Sequence, residues 1–323
     1  MKGYQFEDTQ GTFHLKKAEN ISYLYFPIAG EAGLKSSFTP NLGGDAKIDQ
    51  NTFLLEPVSA ENLVNNRNSR NFWCNVKGIG SWSLTGHSAE ELSKKFTEMQ
   101  DDSEVTAGFM WQKTTRESKK YQLRGEILSF IPVDKNVEIM LVTITNTGRM
   151  AQTVTPTAAI PLYGRSADNI RDHRHVTSLL HRIETTDTGV LVTPTLSFDE
   201  RGHQVNHMTY YCVGWSGNGE KPVDFYPTAE DFVGEGGNFE RPYAIVKNAE
   251  GVKAGTKIEG LEAVGGLHFS EITLEPEEEC SYLIFTGITE DIQEIRNLSK
   301  TYTTREKVLE ELEKTKAYWQ GKG

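Results

Sequence analysis

The chain has 323 residues, of which 24% are charged and 37% hydrophobic, and its net charge is -11. This composition is typical of a globular protein, and the length accommodates either two ordinary domains or one large all-β domain. The acidic balance argues against a nucleic-acid partner and against an anionic membrane, because phosphate groups bind where Lys and Arg are in excess. No apolar run approaches the ~18 residues of a membrane helix, and no secretory signal is visible at the N-terminus.

The cysteines and the absence of common motifs bear on cofactors and compartment. Cys74, Cys212 and Cys280 are odd in number, widely spaced and without a C-x-x-C pair, so we expect neither a zinc site nor a disulfide framework. Reduced, buried thiols in a cytoplasmic protein are the interpretation that fits best. The sequence contains no phosphate loop, no H-E-x-x-H pair and no G-x-S-x-G elbow, and we predict no cofactor.

The predicted elements, in chain order, are mostly β-strands rich in β-branched and aromatic residues. Three early strands are predicted to form an antiparallel meander, with a hairpin turn at 133–136 between the first two. Many short strands indicate an all-β protein, and their number favours one large two-sheet antiparallel super-sandwich over an immunoglobulin-sized unit. The predicted strands are Ile21–Pro27, the meander of Tyr121–Pro132, Val137–Thr145 and Gln152–Ile160, then Arg174–Ile183, Gly189–Thr193, Met208–Trp215, Gly266–Leu274 and Cys280–Thr286.

Helices are predicted in two places only. A capping box at Ser88–Glu91 indicates a short helix through about Met99, and a second box at Thr303–Glu306 begins a C-terminal helix. In that helix one stripe holds Val308, Leu312, Thr315 and Trp319. The stripe either packs on the sandwich or begins a linker to another domain, and we expect this helix to be less protected from hydrogen exchange than the strands. Segment 217–237 is rich in Gly, Pro and acidic residues and predicts a long loop.

The densest polar cluster in the sequence lies between 163 and 175. Arginine forks and carboxylates are groups that hold sugar hydroxyls or phosphate. Two interpretations stay open: a site bordering a substrate or an interface, or an Arg–Asp network that ties down a connection. Metal binding is not expected, since the two histidines lack matched further ligands. The candidate residues are Arg165, Asp168, Arg171, Asp172, His173, Arg174 and His175.

A second set of candidates is aromatic. The run Arg67–Trp73 is followed by Trp82 and Trp111. Exposed indole rings stack on sugars, which makes Trp73, Trp82 and Trp111 candidate sugar contacts, although tryptophans in strands more often belong to the core. No carboxylate pair stands out as the acid and base of a glycoside-cleaving site, so no catalytic residue is assigned.

Several runs resemble the N-terminal domain of glycoside hydrolase family 94 phosphorylases. The resemblance extends over essentially the whole chain, and within the family it is nearest to the 1,2-β-oligoglucan phosphorylases. The runs are Asn71–Val76, Ala107–Glu117, Val142–Asn146 and, as the most specific, Tyr163–Arg182.

The resemblance implies a galactose-mutarotase-like super-sandwich, then linker helices, then an (α/α)6 catalytic barrel. On this basis residues 1–288 are expected to form the sandwich, and 289–323 the start of a linker toward a barrel that lies outside these 323 residues. The family reaction is inverting phosphorolysis of a β-glucosidic bond to α-glucose 1-phosphate, and its acid and phosphate site belong to the barrel. The implied partners are that catalytic domain, a β-glucan oligosaccharide with phosphate, and a second copy in a homodimer.

Two functions of other classes are alternatives to this expectation. A free-standing carbohydrate-binding module needs solvent-accessible rings at Trp73, Trp82 and Trp111. An aldose-epimerase-type enzyme on the same fold needs a cleft in which His173 or His207 meets a carboxylate.

Overall fold

The computed structural model describes residues 4–21, 24–58 and 69–322. Within these residues β-strands dominate, because β-branched and aromatic residues recur in short runs separated by turns. In chain order the strands are β1 (Tyr4–Phe6), β2 (Phe13–Lys16), β3 (Phe26–Ala29), β4 (Lys35–Phe38), β5 (Ala46–Asp49), β6 (Thr52–Leu55), β7 (Asn71–Val76), β8 (Gly80–Ser83), β9 (Asp102–Gly108), β10 (Trp111–Ser118), β11 (Leu123–Phe130), β12 (Val137–Asn146), β13 (Gln152–Leu162), β14 (Arg182–Thr185), β15 (Gly189–Val192), β16 (Leu196–Asp199), β17 (Gly202–Val205), β18 (Thr209–Ser216), β19 (Asp224–Thr228), β20 (Lys257–Glu259), β21 (Ala263–His268), β22 (Ile272–Leu274) and β23 (Glu279–Thr289).

Two antiparallel sheets form the sandwich. The larger has eleven strands in the order β1-β2-β9-β10-β11-β12-β23-β18-β15-β14-β20, and the smaller has the order β19-β21-β13-β7-β8 with β22 also paired to β13. Two minor sheets, β3-β4-β5-β6 and β16-β17, accompany them. The predicted all-β super-sandwich is confirmed, with the minor sheets as additions.

The main core lies between the two large sheets, and strand β12 shows how it is made. Side chains alternate across a strand, and here both faces are buried. Met140 and Val142 pack into the core toward the smaller sheet, whereas Ile139 and Leu141 belong to a second apolar cluster on the other face of the large sheet. The large sheet is therefore covered on both faces around β12.

Six α-helices accompany the strands in the part of the chain that the structure describes. They are α1 (Ala89–Ser93), α2 (Arg174–Ser178), α3 (Ala229–Val233), α4 (Tyr243–Lys247), α5 (Ile292–Thr301) and α6 (Arg305–Gln320). Among the described residues, none of these helices is long and apolar enough to cross a membrane.

Helices cover the outer faces of both sheets. Ile295 and Leu298 of α5, with Val308 and Leu312 of α6, pack into the second apolar cluster on the large sheet. On the smaller sheet, α3 and α4 cover a third cluster that contains Trp73. The predicted stripe of α6 is confirmed at Val308, Leu312 and Thr315, which are buried. The division between sandwich and linker at residue 288 stays a prediction.

The predicted meander is wrong beyond its first hairpin. β11 and β12 pair as expected, but β12 then pairs with β23, and β13 crosses to the smaller sheet between β21 and β7. The crossover begins at Asn146, whose side-chain amide donates to the carbonyls of Met150 and Leu274 and whose Oδ1 accepts from the backbone of Gly148. A strand pattern alone does not distinguish a third strand in one sheet from a first strand in the other.

Other boundaries also differ from the sequence predictions. The predicted strand Arg174–Ile183 is wrong: it divides into α2 and β14. The predicted loop at 217–237 contains β19 and α3, since Asp224–Thr228 is entirely buried against β21. Helix α1 has the predicted Ser88 cap but ends at Ser93. Within the predicted strand Ile21–Pro27, Ser22 and Tyr23 lie outside the described residues, and β3 begins at Phe26.

Candidate functional site

The predicted polar segment 165–175 leaves the end of β13 and turns sharply. Arg165 forms a β-bridge with Phe53 of β6, in which the Phe53 amide donates to the Arg165 carbonyl at 3.0 Å. A 3₁₀ turn over Ala167–Arg171 follows, and the amide of its second residue, Asp168, donates to Ser166 Oγ at 3.3 Å. Helix α2 then begins at Arg174, where a strand was predicted, so the segment rests on turns and a short helix.

Two of the three arginines are held by glutamates from distant parts of the chain. Arg165 is buried and its Nη2 donates to Glu262 Oε1 at 3.1 Å. Arg174 Nη1 donates to Glu262 Oε2 at 3.3 Å, and its Nη2 donates to Glu56. Burial alone would lower the pKa of Arg174, but Glu262 and Glu56 together raise it above its usual value. The result is a four-residue ion network in which Glu262 bridges both arginines.

The space inside this network is small. The hollow beside Arg165, Arg174, Glu56 and Glu262 has a volume of about 10 Å³, which is room for about one water molecule. A sugar ring does not fit between these charges. The inner side of the segment is therefore an anchor that attaches 165–175 to the sandwich.

His181 lies under the same network and carries no charge near neutral pH. It is fully buried, and its Nδ1 lies 3.2 Å from the carbonyl of Leu261. Burial, followed by the charge of Arg165, lowers the pKa of His181 to about 3. A neutral imidazole that donates to a backbone carbonyl suits a packing role in this position.

The outer side of the segment is exposed. Asp168, Arg171, His173 and His175 face solvent, and Asp172 does so while accepting a hydrogen bond from Asn169 Nδ2 at 2.9 Å. The rings of His173 and His175 lie 5.4 Å apart between centroids. Two apolar side chains of the same stretch are also uncovered: Val176 is 62% exposed and Leu179 is 60% exposed. Mixed cationic and apolar exposure is typical of a surface that contacts another molecule.

The structure does not bring the histidines into a metal or acid–base site. In the part of the chain that the structure describes, no group of three His, Cys, Asp or Glu side chains could hold a metal ion. His207 is exposed, and none of His173, His175 and His207 hydrogen-bonds to a carboxylate within the described ranges. The geometry that the epimerase alternative required is therefore not present among these residues.

The aromatic candidates are mostly inside the protein. Trp73 is buried under α3 and α4, and Trp82 is buried between the sheets, where its Nε1 donates to Asp101 Oδ2 at 2.8 Å. Their predicted role as sugar contacts is wrong for this structure, because neither ring face reaches solvent. Trp111 is half-buried, and Lys316 Nζ of α6 lies 4.4 Å from its ring centroid. Arg67 and Asn68 lie outside the described residues.

Glu56 and Glu262 were not found from the sequence. Each is an isolated glutamate in an acidic chain, 118 and 88 residues away from Arg174. No local pattern marks a carboxylate whose partner is brought to it only by the fold. A second buried pair, His268 Nδ1 with Asp224 Oδ1 at 2.6 Å, was not predicted from the sequence for the same reason.

Comparison with known proteins gives one family match. The model described as "Glycosyl hydrolase 94, supersandwich domain" matches residues 55–305. No curated protein sequence matches the chain significantly.

Three solved structures illustrate the structural comparison. A putative aldose 1-epimerase from Escherichia coli K12 is 9% identical, with a TM-score of 0.43; the match covers 82% of this chain and 99% of that one. A bacterial glucoamylase complexed with acarbose is 10% identical, with a TM-score of 0.43 and coverage of 95% and 37%. A putative aldose 1-epimerase from Klebsiella pneumoniae subsp. pneumoniae is 10% identical, with a TM-score of 0.35 and coverage of 93% and 94%.

Two large antiparallel sheets, stacked on a shared core and covered by helices on both outer faces, define a β-supersandwich. The family match covers well over half of the residues. The chain therefore belongs to the glycosyl hydrolase 94 supersandwich domain family.

Proposed function

We propose that this domain is the non-catalytic partner of the barrel of an inverting β-glucan phosphorylase. In this role it supports the catalytic domain and borders its substrate through the exposed side of segment 165–175. The observation that carries the proposal is the family match over residues 55–305. The barrel itself, which would supply the catalytic acid and the phosphate site, is proposed to lie outside these residues.

The two sides of the segment support this division of roles. On the inner side, Arg165 and Arg174 are ion-paired with Glu262 and Glu56, and the hollow beside them leaves no room for a ligand. On the outer side, Arg171 has no ion pair with another described residue and can form bidentate contacts to a carboxylate or phosphate, and histidines lie beside it. A segment anchored from within and charged on the outside holds its side chains in place for a partner.

The finer assignment rests on the resemblance of Tyr163–Arg182 to the 1,2-β-oligoglucan phosphorylases. The proposed substrate of the complete enzyme is accordingly a β-1,2-linked glucan oligosaccharide, with phosphate as the second substrate. The proposed assembly is a homodimer, and the proposed compartment is the cytoplasm.

The first experiment incubates the chain alone with sophorose-series oligosaccharides and phosphate and assays glucose 1-phosphate. We expect no product. Turnover at about 1 s⁻¹ or faster, as ordinary enzymes show, would contradict the proposal.

The second experiment uses a full-length family 94 homologue. Arg171→Ala and His175→Ala, placed at the equivalent positions, are expected to lower phosphorolysis without changing the melting temperature. Lys119→Ala, at a side chain that is 90% exposed, serves as the surface control. Unchanged phosphorolysis kinetics in both test variants would contradict the proposal that the exposed side of the segment contacts the substrate or the interface.

A further inference from the structure

A cleft lies beside helix α5, away from the polar segment described above. Its volume is about 390 Å³, which is within the ~300–1,000 Å³ range of small-molecule sites. None of its lining residues also lines the hollow at Arg165. It is bounded by α5, by the turn between β11 and β12, and by β18. The polar residues that line it include Asp134, Asn136, Tyr211, Glu294, Asn297 and Thr301.

One face of α5 forms a wall of this cleft. Glu294, Asn297, Leu298 and Thr301 recur at i, i+3, i+4 and i+7, which places them along one stripe of the helix. Leu298 packs into the apolar cluster below. Asn297 and Thr301 make no side-chain hydrogen bond to another described residue and are exposed, so their polar groups are available to a ligand.

The floor of the cleft contains the hydroxyl of Tyr211. The Tyr211 side chain is only 3% exposed, its hydroxyl forms no hydrogen bond with another described residue, and the hydroxyl oxygen itself remains open to the cleft. Burial, and then the charge of Glu294, raises the pKa of Tyr211, so the phenol stays protonated and able to donate. A hydroxyl that is open to the cleft and not bonded within the described residues is available to a ligand there.

Gly287 makes room for this hydroxyl. It lies opposite Tyr211 in the β18–β23 ladder, and a Cβ at this position would be 2.4 Å from Tyr211 Oη and 2.5 Å from the carbonyl of Asn136. Any side chain here would displace the phenol or the turn. The small residue therefore preserves the position of the hydroxyl at the floor of the cleft.

The remaining groups indicate what kind of ligand fits. Lys135 Nζ is occupied by Asp134 Oδ1 at 3.0 Å, and Glu294 Oε2 accepts from Thr289 Oγ1 at 2.6 Å while its other oxygen has no partner among the described residues. The cleft thus contains two carboxylates, Asp134 and Glu294, and one lysine that is already paired, so an anionic ligand is disfavoured. An amide, hydroxyls and a carboxylate oxygen together match a neutral ligand whose hydroxyls both donate and accept.

We propose that this cleft is a binding site for a neutral saccharide of one or two rings. Tyr211, Asn297 and Thr301 contact the sugar hydroxyls, and Glu294 accepts from one of them. The site is independent of the role proposed for segment 165–175, so either can fail without the other.

The test is titration of the chain with glucose and with sophorose, followed by calorimetry and by the side-chain amide resonance of Asn297. We expect saturable binding of at least one of the two sugars. Asn297→Ala and Tyr211→Phe should each weaken binding about tenfold, the effect of losing one or two hydrogen bonds to a bound ligand. Tyr211→Phe removes only the hydroxyl and keeps the packed ring.

The matched control is Ser299→Ala, which removes a hydroxyl from the same helix at a position lining a different hollow. It should bind as the wild type does. The proposal is overturned if neither sugar shows saturable binding, if Asn297→Ala and Tyr211→Phe bind like the wild type, or if Ser299→Ala weakens binding as much as they do. Saturable binding of inorganic phosphate at the Asn297 resonance, without sugar binding, would also overturn it.

Discussion

Arg70 and Glu138 form a two-pronged ion pair whose side chains are both fully buried. Arg70 Nε donates to Glu138 Oε1 at 2.5 Å and Arg70 Nη2 donates to Oε2 at 3.0 Å. Glu138 belongs to β12 of the large sheet, and Arg70 immediately precedes β7 of the smaller one. Ser36 Oγ of β4 also donates to Glu138 Oε2, at 2.8 Å. One carboxylate thus links the two large sheets and a minor sheet.

We predict that removing one member of this ion pair lowers the free energy of unfolding strongly. Replacing both members with apolar residues should lower it less than the two single losses together. Arg70→Met leaves the Glu138 charge buried without its partner, and Glu138→Leu does the same to Arg70. Each single variant should lose about 3–5 kcal/mol in the free energy of unfolding. The double variant should be more stable than the sum of the single losses implies, because it leaves no uncompensated charge. Urea unfolding of the four proteins measures this coupling.

The exposed pair of Lys77 and Glu271 provides the control for this cycle. Their side chains are 70% and 51% exposed at a separation of 3.4 Å, and such pairs contribute little. Lys77→Ala should leave the unfolding free energy nearly unchanged. Additive losses in the Arg70 and Glu138 variants would contradict the coupling.

The fold class was predictable from the sequence, and the strand connections were not. Alternating and β-branched runs identified β11, β12 and β18 because their pattern is local. The move of β13 into the other sheet depends on β21 and β7, whose partnership is set by packing across the core. Helix α5 was not predicted, although Asp291 caps its start: Gln293 N donates to Asp291 Oδ1 at 2.9 Å.

In the candidate site, too, the local features were predictable from the sequence and the non-local contacts were not. Segment 165–175 was found because its charges are close together in the sequence. Its inner and outer sides were not separable, since Glu56 and Glu262 come from other parts of the chain. The 390 Å³ cleft at Tyr211 had no sequence signal, because its polar residues are spread from 134 to 301. Sites made of scattered ordinary residues emerge only when the chain is folded.

A second prediction concerns acid destabilisation by two neutral histidines, the buried His181 and the half-buried His87. Burial, and then the charge of Arg116 or Arg165, lowers the pKa values of His87 and His181 to about 3. Below the unfolded-state pKa near 6.5, the unfolded chain binds protons that the folded chain does not, so stability falls as the pH drops toward 3. Each histidine contributes a slope of up to about 1.4 kcal/mol per pH unit.

Urea unfolding at pH 7 and pH 5 tests this dependence. His181→Gln should lose less stability over that interval than the wild type, whatever its stability at pH 7. The exposed His207→Gln should keep the wild-type difference. An identical pH dependence in His181→Gln and the wild type would show that His181 is not a source of the effect.

A third prediction concerns helix α6. Val308 and Leu312 are buried against the large sheet, and Tyr318 donates to Glu31 Oε1 at 3.1 Å. This packing reverses the weak protection expected from the sequence: the amides of residues 308–316 should exchange as slowly as those of β23. Leu312→Ala should cost about 2–5 kcal/mol, whereas the exposed Lys314→Ala should cost little. Fast exchange in α6 of the isolated chain would restore the linker interpretation.

The last prediction separates the two sides of segment 165–175. Arg165 is buried and bonded to Glu262, so Arg165→Ala leaves Glu262 with Arg174 as its remaining arginine in the network and empties a packed position. We expect a loss of about 1.5–3 kcal/mol, the range for hydrogen bonds to charged groups. Arg171 is exposed, and Arg171→Ala should change stability by less than about 0.5 kcal/mol.

Thermal and urea unfolding of the isolated domain measure both effects. In a full-length homologue the order should reverse: Arg171→Ala should lower phosphorolysis per folded molecule more than Arg165→Ala does. Arg165→Lys keeps the charge but not the planar fork, and it should recover only part of the lost stability because the geometry matters. If Arg165→Ala is as stable as the wild type and inactive in the homologue, Arg165 itself contacts the substrate or the partner domain. The anchor interpretation of the inner side would then be wrong.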